Sequence, residues 1–262
     1  MCRMVGYLGG PEASLSSVVL EHEHSLLVQS YAPREMLSGV VNADGFGVGW
    51  YTPNDNEPAV YRSNGSLWSD RSFAGIASKI MARTIFAAVR SATQGLPVEE
   101  SGVPPFSSGP FMFMHNGAIE NFRQKAMRPL RDSLSDEAYS GLLGVTDSET
   151  IFAGLLDVLR KDPADLESAA RETIHHVTEV CGRLGVRATL NLAVTDGTAM
   201  VFTRYSTEGP GNSLYFLEDA AAFPGAVVVA SERLDGGSGW REVPDRHLLS
   251  VRRQSGTALS QL

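Results

Sequence analysis

The second residue of the chain, Cys2, has a position that gives it chemistry of its own. A cysteine directly behind methionine is small enough for the initiator to be removed, which would leave one residue with both a thiol and a free α-amino group. That amine could take the thiol proton directly or through one water, so no histidine partner is required. The alternative is a small buried residue at the start of a strand, and Cys2 taken alone favours it.

A second candidate follows the apolar run Phe111 to Met114, where the chain continues as His115-Asn116-Gly117. The Asn116 amide and the Gly117 backbone N–H, if they lie at a strand end, can both point at one position and hold a developing oxyanion there. A plain Asn-Gly turn is the alternative, and the dipeptide by itself favours that turn. We predict that His115 is a packed or hydrogen-bonded core histidine and not a general base.

Two charged residues need an explanation. Arg90 follows the apolar run TIFAAV, so its guanidinium either pairs with a structural carboxylate or grips an anionic ligand at two points. The local sequence leaves both open. Asp147 lies in the segment TDSE, a capping box ahead of a helix, where a first-turn acid is favourable for the helix dipole alone.

The cysteines and histidines offer little to a metal ion. The two cysteines, Cys2 and Cys181, give neither a disulfide framework nor a Cys/His spacing suited to zinc. His22 and His24 lie two residues apart without a third ligand, and we predict that both are solvated. The sequence therefore predicts no metal and no cofactor.

Charge and hydropathy narrow the choice of partner. The formal net charge is −8, and the 22 lysines and arginines form no basic stripe, so a nucleic-acid partner is not expected. The sequence has neither a signal peptide's apolar region nor a run approaching the ~20 apolar residues that span a bilayer. We expect a cytoplasmic protein that acts on a small molecule and contacts no membrane. The sequence leaves a homo-oligomer open.

We expect one domain over residues 2–251, because a chain of 262 residues with 43% hydrophobic content can bury a full core undivided. The polar segment 252–262 is predicted to be a frayed C-terminal tail. Helices are predicted behind Asp70, behind Thr146 and from Asp162, the last with Cys181 on its apolar stripe.

Strands and a loop must position the candidate residues. The segment NADGFGVGWY has glycine at every second position, which strips one face of a strand so that another backbone or a ligand can approach. The segments MCRMVGYLG and TIFAAV are predicted as buried strands, and a hairpin is predicted to turn at Asp196-Gly197. Residues 94–109 include three prolines and form a loop long enough to fold over a site.

In their order along the chain, Cys2, DGFGVGW, VRSAT, HNG and TDSE resemble the class II glutamine amidotransferases of the N-terminal nucleophile hydrolase superfamily. The resemblance implies an α+β fold, a four-layer αββα sandwich with antiparallel sheets. It also implies that Cys2 is the nucleophile and that Asn116 and Gly117 form the oxyanion hole. Arg90 would bind the α-carboxylate of a glutamyl group, and Asp147 its α-ammonium.

Longer segments resemble the amidohydrolases of ergothioneine biosynthesis; they are LLVQSYAPRE, LWSDRSF, VRSATQGLPVEESGVPPF and SGWREVPDRHLLSV. This resemblance implies that γ-glutamyl-hercynylcysteine sulfoxide is split into glutamate and hercynylcysteine sulfoxide. The length agrees with hydrolysis, because amidotransferases that use the released ammonia carry a second domain of ~100–200 residues or more.

Two other functions stay open at this stage. One is a glutaminase or γ-glutamyl-peptide (glutathione) hydrolase subunit that works only with a partner chain. The other is a catalytically silent binding module, which the joint presence of the five candidate residues disfavours.

Overall fold

Two antiparallel sheets stacked face to face, with helices on their outer sides, make up the computed structural model of the chain. It describes residues 2–37, 39–92, 98–163, 165–253 and 256–262. Met1 and residues 94–97 of the expected loop lie outside the described residues, so the predictions made for them stay predictions.

The strands, in chain order, are β1 (Arg3–Ser14), β2 (Phe46–Trp50), β3 (Ala59–Ser63), β4 (Met81–Val89), β5 (Phe106–Ser108), β6 (Phe111–Ile119), β7 (Ala188–Thr195), β8 (Ala199–Arg204), β9 (Tyr215–Ala220), β10 (Phe223–Ala230), β11 (Arg241–Glu242), β12 (His247–Arg252) and β13 (Gly256–Gln261). The α-helices are α1 (Leu15–Val19), α2 (Leu26–Tyr31), α3 (Arg71–Ala77), α4 (Met127–Arg131), α5 (Asp136–Ser140), α6 (Asp147–Leu159) and α7 (Leu166–Leu184).

Among the described residues, the first sheet has the order β11-β9-β10-β1-β4-β2-β3. β1 is therefore a middle strand, paired antiparallel with β10 on one side and β4 on the other. Because side chains alternate along a strand, Val5 and Tyr7 face the helices while Met4 and Leu8 face the second sheet. Residues 3–9 of this strand are buried on both faces, as the apolar sequence there predicts, whereas its last five residues are more exposed.

The second sheet has the order β13-β12-β8-β7-β6-β5 within the described parts of the chain. Its inner face meets the first sheet in an apolar layer that includes Phe86 and Phe202, and its outer face packs on α6 and α7. The helices α1, α2 and α3 cover the other side of the first sheet. These layers confirm the predicted αββα sandwich.

The alternating glycines of β2 have the predicted effect. An ideal Cβ at Gly47 would lie 2.4 Å from the carbonyl oxygen of Pro104, and one at Gly49 would lie 2.2 Å from Sδ of Met112. A side chain at Gly47 would therefore collide with the segment that crosses the strand, and one at Gly49 with β6 of the second sheet. The glycines allow residues 104–105 to lie directly on β2.

The end of the chain differs from expectation. Residues 256–261 are not a frayed tail but the edge strand β13, which pairs with β12 through partners such as Leu259 and Leu249. The Arg171 guanidinium binds the carbonyl of Gln261, and Leu262 packs against the core beneath α7. These contacts offset the entropy of ordering a polar segment, which composition alone does not show.

Smaller predictions can also be compared with the structure. Asp70 caps α3, and Cys181 is buried in the core, both as predicted. The strands β7 and β8 form the hairpin predicted around Asp196-Gly197. The helix predicted from Asp162 begins later, at Leu166, because the Asp165 side chain caps it.

Candidate active site

Cys2 and Arg90 lie next to each other at the ends of two neighbouring strands of the first sheet, β1 and β4. Arg3, the first residue of β1, is opposite Val89, the last residue of β4, so Cys2 falls beside the position of Arg90. The backbone N–H of Arg90 donates to the carbonyl of Gly45, the residue before β2, at 2.8 Å. This hydrogen bond holds the Arg90 backbone in place. The cysteine is half-buried and the arginine is buried.

The Arg90 guanidinium lies under the segment that precedes β5. An ideal Cβ at Gly102 would lie 2.9 Å from Nη2 of Arg90 and 3.3 Å from Cγ2 of Thr146. Arg90 therefore approaches the N-terminus of α6, where Thr146 is the N-cap and Asp147 the first helical residue. The fold thus brings Arg90 close to Thr146, the residue before Asp147, although the two come from different layers.

Asp147 is only 6% exposed, and neutral groups hydrogen-bond to it. Its Oδ2 accepts from the backbone N–H of Ile119 at 2.9 Å, and its Oδ1 accepts from the backbone N–H of Ser148 at 2.8 Å. The carboxylate thus links the start of α6 to the end of β6. Its negative charge lies at the positive end of a helix dipole.

The capping box predicted for this helix is half formed. The Thr146 hydroxyl accepts from the backbone N–H of Glu149 at 3.1 Å, as in a capping box. The Glu149 carboxylate instead accepts from the backbone N–H groups of Leu143 and Gly144. It therefore fastens the preceding turn to the helix.

Asn116 lies within β6, not at a strand end as the sequence suggested, because the strand continues to Ile119. The side chain is fully buried and held at both ends: Oδ1 accepts from Nδ2 of Asn212 at 3.1 Å, and Nδ2 donates to Oγ of Ser231 at 3.3 Å. Ser231 Oγ also accepts from the backbone N–H of Met4 at 3.0 Å. The donor end of the amide therefore faces β1, the strand that follows Cys2.

Gly117 cannot carry a side chain. An ideal Cβ there would lie 1.9 Å from the carbonyl oxygen of Thr189 and 2.4 Å from Nε2 of His115. His115 itself is buried, with Nε2 2.9 Å from the Thr189 carbonyl and Nδ1 3.0 Å from Oγ of Ser148. The prediction of a hydrogen-bonded core histidine is confirmed, and its ring connects the Asn-Gly strand with the start of α6.

The prediction for His24 is wrong. The side chain is 2% exposed, and its Nε2 lies 2.7 Å from Oε2 of Glu232. Glu232 also binds Arg3, the residue next to Cys2. The sequence reasoning missed all three residues of this buried group, although an arginine in the apolar segment MCRMVGYLG was the same kind of signal as Arg90.

The Glu232 carboxyl is ionised. Burial alone would raise its pKa, but hydrogen bonds from the His24 ring and from two backbone N–H groups, with the charge of Arg3, outweigh burial and hold the pKa at about 2. No group of three or more histidine, cysteine, aspartate or glutamate side chains in the described ranges could hold a metal ion.

The chain is similar to known proteins along most of its length. A family model described as "Glutamine amidotransferases class-II" matches residues 15–223. The γ-glutamyl-hercynylcysteine sulfoxide hydrolase of Mycobacterium tuberculosis is 37% identical over 262 residues, which cover 100% of this chain and 97% of that protein. The probable glutamine amidotransferase DUG3 of Saccharomyces cerevisiae is 30% identical over 300 residues. The match covers 97% of this chain and 83% of that protein.

A solved structure has the same fold. The glutamine aminotransferase class-II domain protein from Silicibacter pomeroyi superposes with a TM-score of 0.72 at 23% identity, over 100% of this chain and 99% of that one. Within the described residues, none of the helices has the length and apolar character needed to cross a bilayer.

Proposed function

The chain belongs to the class II glutamine amidotransferase family, and we propose that it hydrolyses the γ-glutamyl amide of γ-glutamyl-hercynylcysteine sulfoxide to glutamate and hercynylcysteine sulfoxide. The substrate rests on the hydrolase from Mycobacterium tuberculosis, which matches this chain along its whole length. We propose the same residues as the sequence suggested: Cys2 as nucleophile, Asn116 and Gly117 as oxyanion donors, and Arg90 and Asp147 as the glutamyl site.

The observation that carries the proposal is the fixed direction of the Asn116 amide. Two buried hydrogen bonds orient it, and the acceptor of its N–H, Ser231 Oγ, also binds the backbone two residues beyond Cys2. A donor held before the reaction stabilises a developing oxyanion without reorganising, which is worth ~3–4 kcal/mol when water is excluded. The other oxyanion donor is the N–H of Gly117, the next residue.

The reaction then follows from these groups. The Cys2 thiol, after loss of Met1, gives its proton to its own α-amine, and Sγ attacks the γ-carbonyl carbon. The oxyanion collapses to a thioester as the C–N bond breaks, and the amine passes the proton to the leaving nitrogen. Water, deprotonated by the same amine, attacks the thioester, releases glutamate and restores the thiol.

The glutamyl site has the charge arrangement that the substrate needs. Arg90 offers a fork of donors to the α-carboxylate, and Asp147 offers a carboxylate to the α-ammonium. The close approach of Gly102 to both Arg90 and the N-cap of α6 supports a pocket in which these charges lie near each other. One glutamyl head group, with its charges on one carbon, fits such a pair.

Turnover of the purified chain on three substrates tests the proposal. We expect the highest kcat/KM with γ-glutamyl-hercynylcysteine sulfoxide, with one glutamate formed per substrate consumed, and much lower values with glutamine and glutathione. A preference for glutathione or glutamine would contradict the assigned substrate. Activity that appears only after a second protein is added would instead favour the partner-dependent subunit. Intact mass of the active enzyme should show that Met1 is absent.

A further inference from the structure

A buried ion pair lies directly behind Cys2. Arg3 is 0% exposed and Glu232 is 1% exposed, and Nε of Arg3 lies 2.8 Å from Oε1 of Glu232. Burying two charges is costly, and apolar residues of similar volume are often at least as stabilising in such positions. Stability is therefore a weak explanation for this pair at a strand start that could hold two apolar side chains.

Glu232 is immobilised on all sides. Besides Arg3, it accepts hydrogen bonds from Nε2 of His24 at 2.7 Å and from the backbone N–H groups of Arg34 and Glu35 at 2.8 and 3.0 Å. Four donors around one carboxylate leave it no alternative orientation. Arg3 therefore faces a fixed anionic partner.

The other branch of the guanidinium reaches the nucleophile residue. Nη1 of Arg3 donates to the backbone carbonyl of Cys2 at 3.1 Å. A mature N-terminal residue has no preceding peptide group, so the hydrogen bond to its carbonyl is one of the few backbone contacts that can orient it. Holding the carbonyl fixes the peptide plane that follows Cα and so limits the positions that the thiol and the α-amine can take.

The same segment of chain also holds the oxyanion donor. Ser231, the neighbour of Glu232, binds both the backbone N–H of Met4 and the Asn116 amide. Since successive residues of an extended segment point to opposite faces, Ser231 reaches the second sheet while Glu232 reaches the helix side. Residues 231 and 232 thus connect Cys2 and Asn116 to one piece of backbone.

We propose that Arg3 is a positioning residue, which Glu232 clamps so that its guanidinium sets the orientation of Cys2 relative to Asn116. The proposal rests on the proposed function only in that Cys2 is taken as the nucleophile. Arginine suits this position because its planar fork serves Glu232 and the Cys2 carbonyl at the same time, whereas a lysine ammonium is a single point charge on a flexible stem.

The variants Arg3→Lys and Arg3→Met test this inference. Each leaves Glu232 three of its four donors, and Arg3→Lys also keeps the buried positive charge. A matched control is Val180→Ala in α7, a buried position in the helical layer beyond the second sheet, which should lower Tm without touching the site. Intact mass establishes that Met1 has been removed from every protein compared.

We expect Arg3→Lys to fold and to lose about tenfold or more in kcat with KM changed less than about twofold, because a small misplacement of reacting groups is costly while glutamyl binding is untouched. Val180→Ala should keep kcat within about twofold, even where its Tm falls as far as that of Arg3→Lys. Full kcat in Arg3→Lys, or an equal loss in both proteins, would overturn the inference. If Cys2→Ala retained turnover, the proposed function would fail instead, which separates the two.

Discussion

Two buried carboxylates, Glu232 and Asp147, differ in what neutralises them. Glu232 accepts from a guanidinium, a histidine ring and two backbone N–H groups, so the protein supplies its cation. Asp147 accepts from backbone N–H groups and the hydroxyl of Ser148, all of them neutral. Both are nearly inaccessible to water.

This contrast distinguishes Glu232, whose charge is paired within the protein, from Asp147, whose charge is available to a ligand. A carboxylate with its own cation inside the protein contributes to the fold and adds little to ligand binding. A carboxylate whose partners are all neutral can still attract a cation that arrives, such as the α-ammonium of a glutamyl group. On this view Asp147 belongs to binding and Glu232 to positioning and stability.

The largest effect on turnover is expected from Cys2→Ala. In this variant substrate binding can be measured without any reaction. Loss of the thiol should abolish turnover while the fold and the binding of substrate persist, because little packing is removed. Calorimetry should detect binding with no glutamate released. Appreciable turnover in this variant would exclude a thioester intermediate.

The next largest effect is expected from Asp147→Asn, which removes the charge and keeps an acceptor for the backbone. A substrate ammonium left unpaired in a desolvated pocket costs ~2–5 kcal/mol, so kcat/KM should fall by roughly 30-fold to several thousand-fold. The matched control is Asp165→Asn at the N-cap of α7, where asparagine caps as well as aspartate and kcat/KM should not change.

Chemistry on the substrate gives an independent check of the same charge. N-acetylation of the glutamyl amine should reduce kcat/KM in the unaltered enzyme about as much as Asp147→Asn does, and should add little in that variant. Normal processing of the acetylated substrate would place the ammonium site elsewhere.

Glu232→Gln should lower both stability and kcat, because Glu232 holds the guanidinium that positions Cys2. It breaks a buried pair and places an amide N–H₂ where donors already point, a loss of about 3–5 kcal/mol and of roughly 6–20 °C in Tm. Glu120→Gln, which loses only an exposed pair with Arg187, should lower Tm far less. If Glu232→Gln melts like the control, the buried pair is not structural and the contrast with Asp147 fails.

The smallest effect is expected in the acid dependence of stability. The pKa of Glu232 is about 2, below the 4.5 of an ordinary glutamate, so its contribution is complete above about pH 4.5 and is lost as pH falls towards 2. Urea unfolding at pH 5, 4 and 3 should show a steeper loss of unfolding free energy in the unaltered protein than in Glu232→Gln. Parallel curves would mean that the folded carboxyl titrates normally.

Local patterns predicted most of the scaffold because the physics there is local. The apolar run around Val5 predicts a buried strand, and the alternating glycines around Gly47 predict a close crossing, which residues 104–105 provide. Asn116 illustrates the limit: Asn-Gly usually turns, but here the strand pairing with β7 continues through it. Tertiary pairing overrode the preference of the dipeptide.

The pairing of Arg3 with Glu232 behind Cys2 could not be predicted from local sequence. Arg3 and Glu232 are separated by 229 positions, and neither carries a motif that names the other. An arginine in an apolar strand shows that a buried partner must exist, but only the pairing of β1 with β10 identifies which carboxylate it is. His24 was misjudged for the same reason, since the acidic residues beside it in sequence suggested solvent.

The middle position of β1 in its sheet has a consequence for synthesis. One neighbour, β10, and the Ser231-Glu232 pair behind it are translated about 230 residues after Cys2, a delay of roughly 10–50 s at 5–20 residues per second. During that interval β1 has no β10 to pair with, so under the proposed function Met1 can be removed before the N-terminus is enclosed. A ribosome-bound chain stalled before residue 231 would carry the proposed nucleophile without the groups that orient it, so activity should emerge only after Glu232 has been translated.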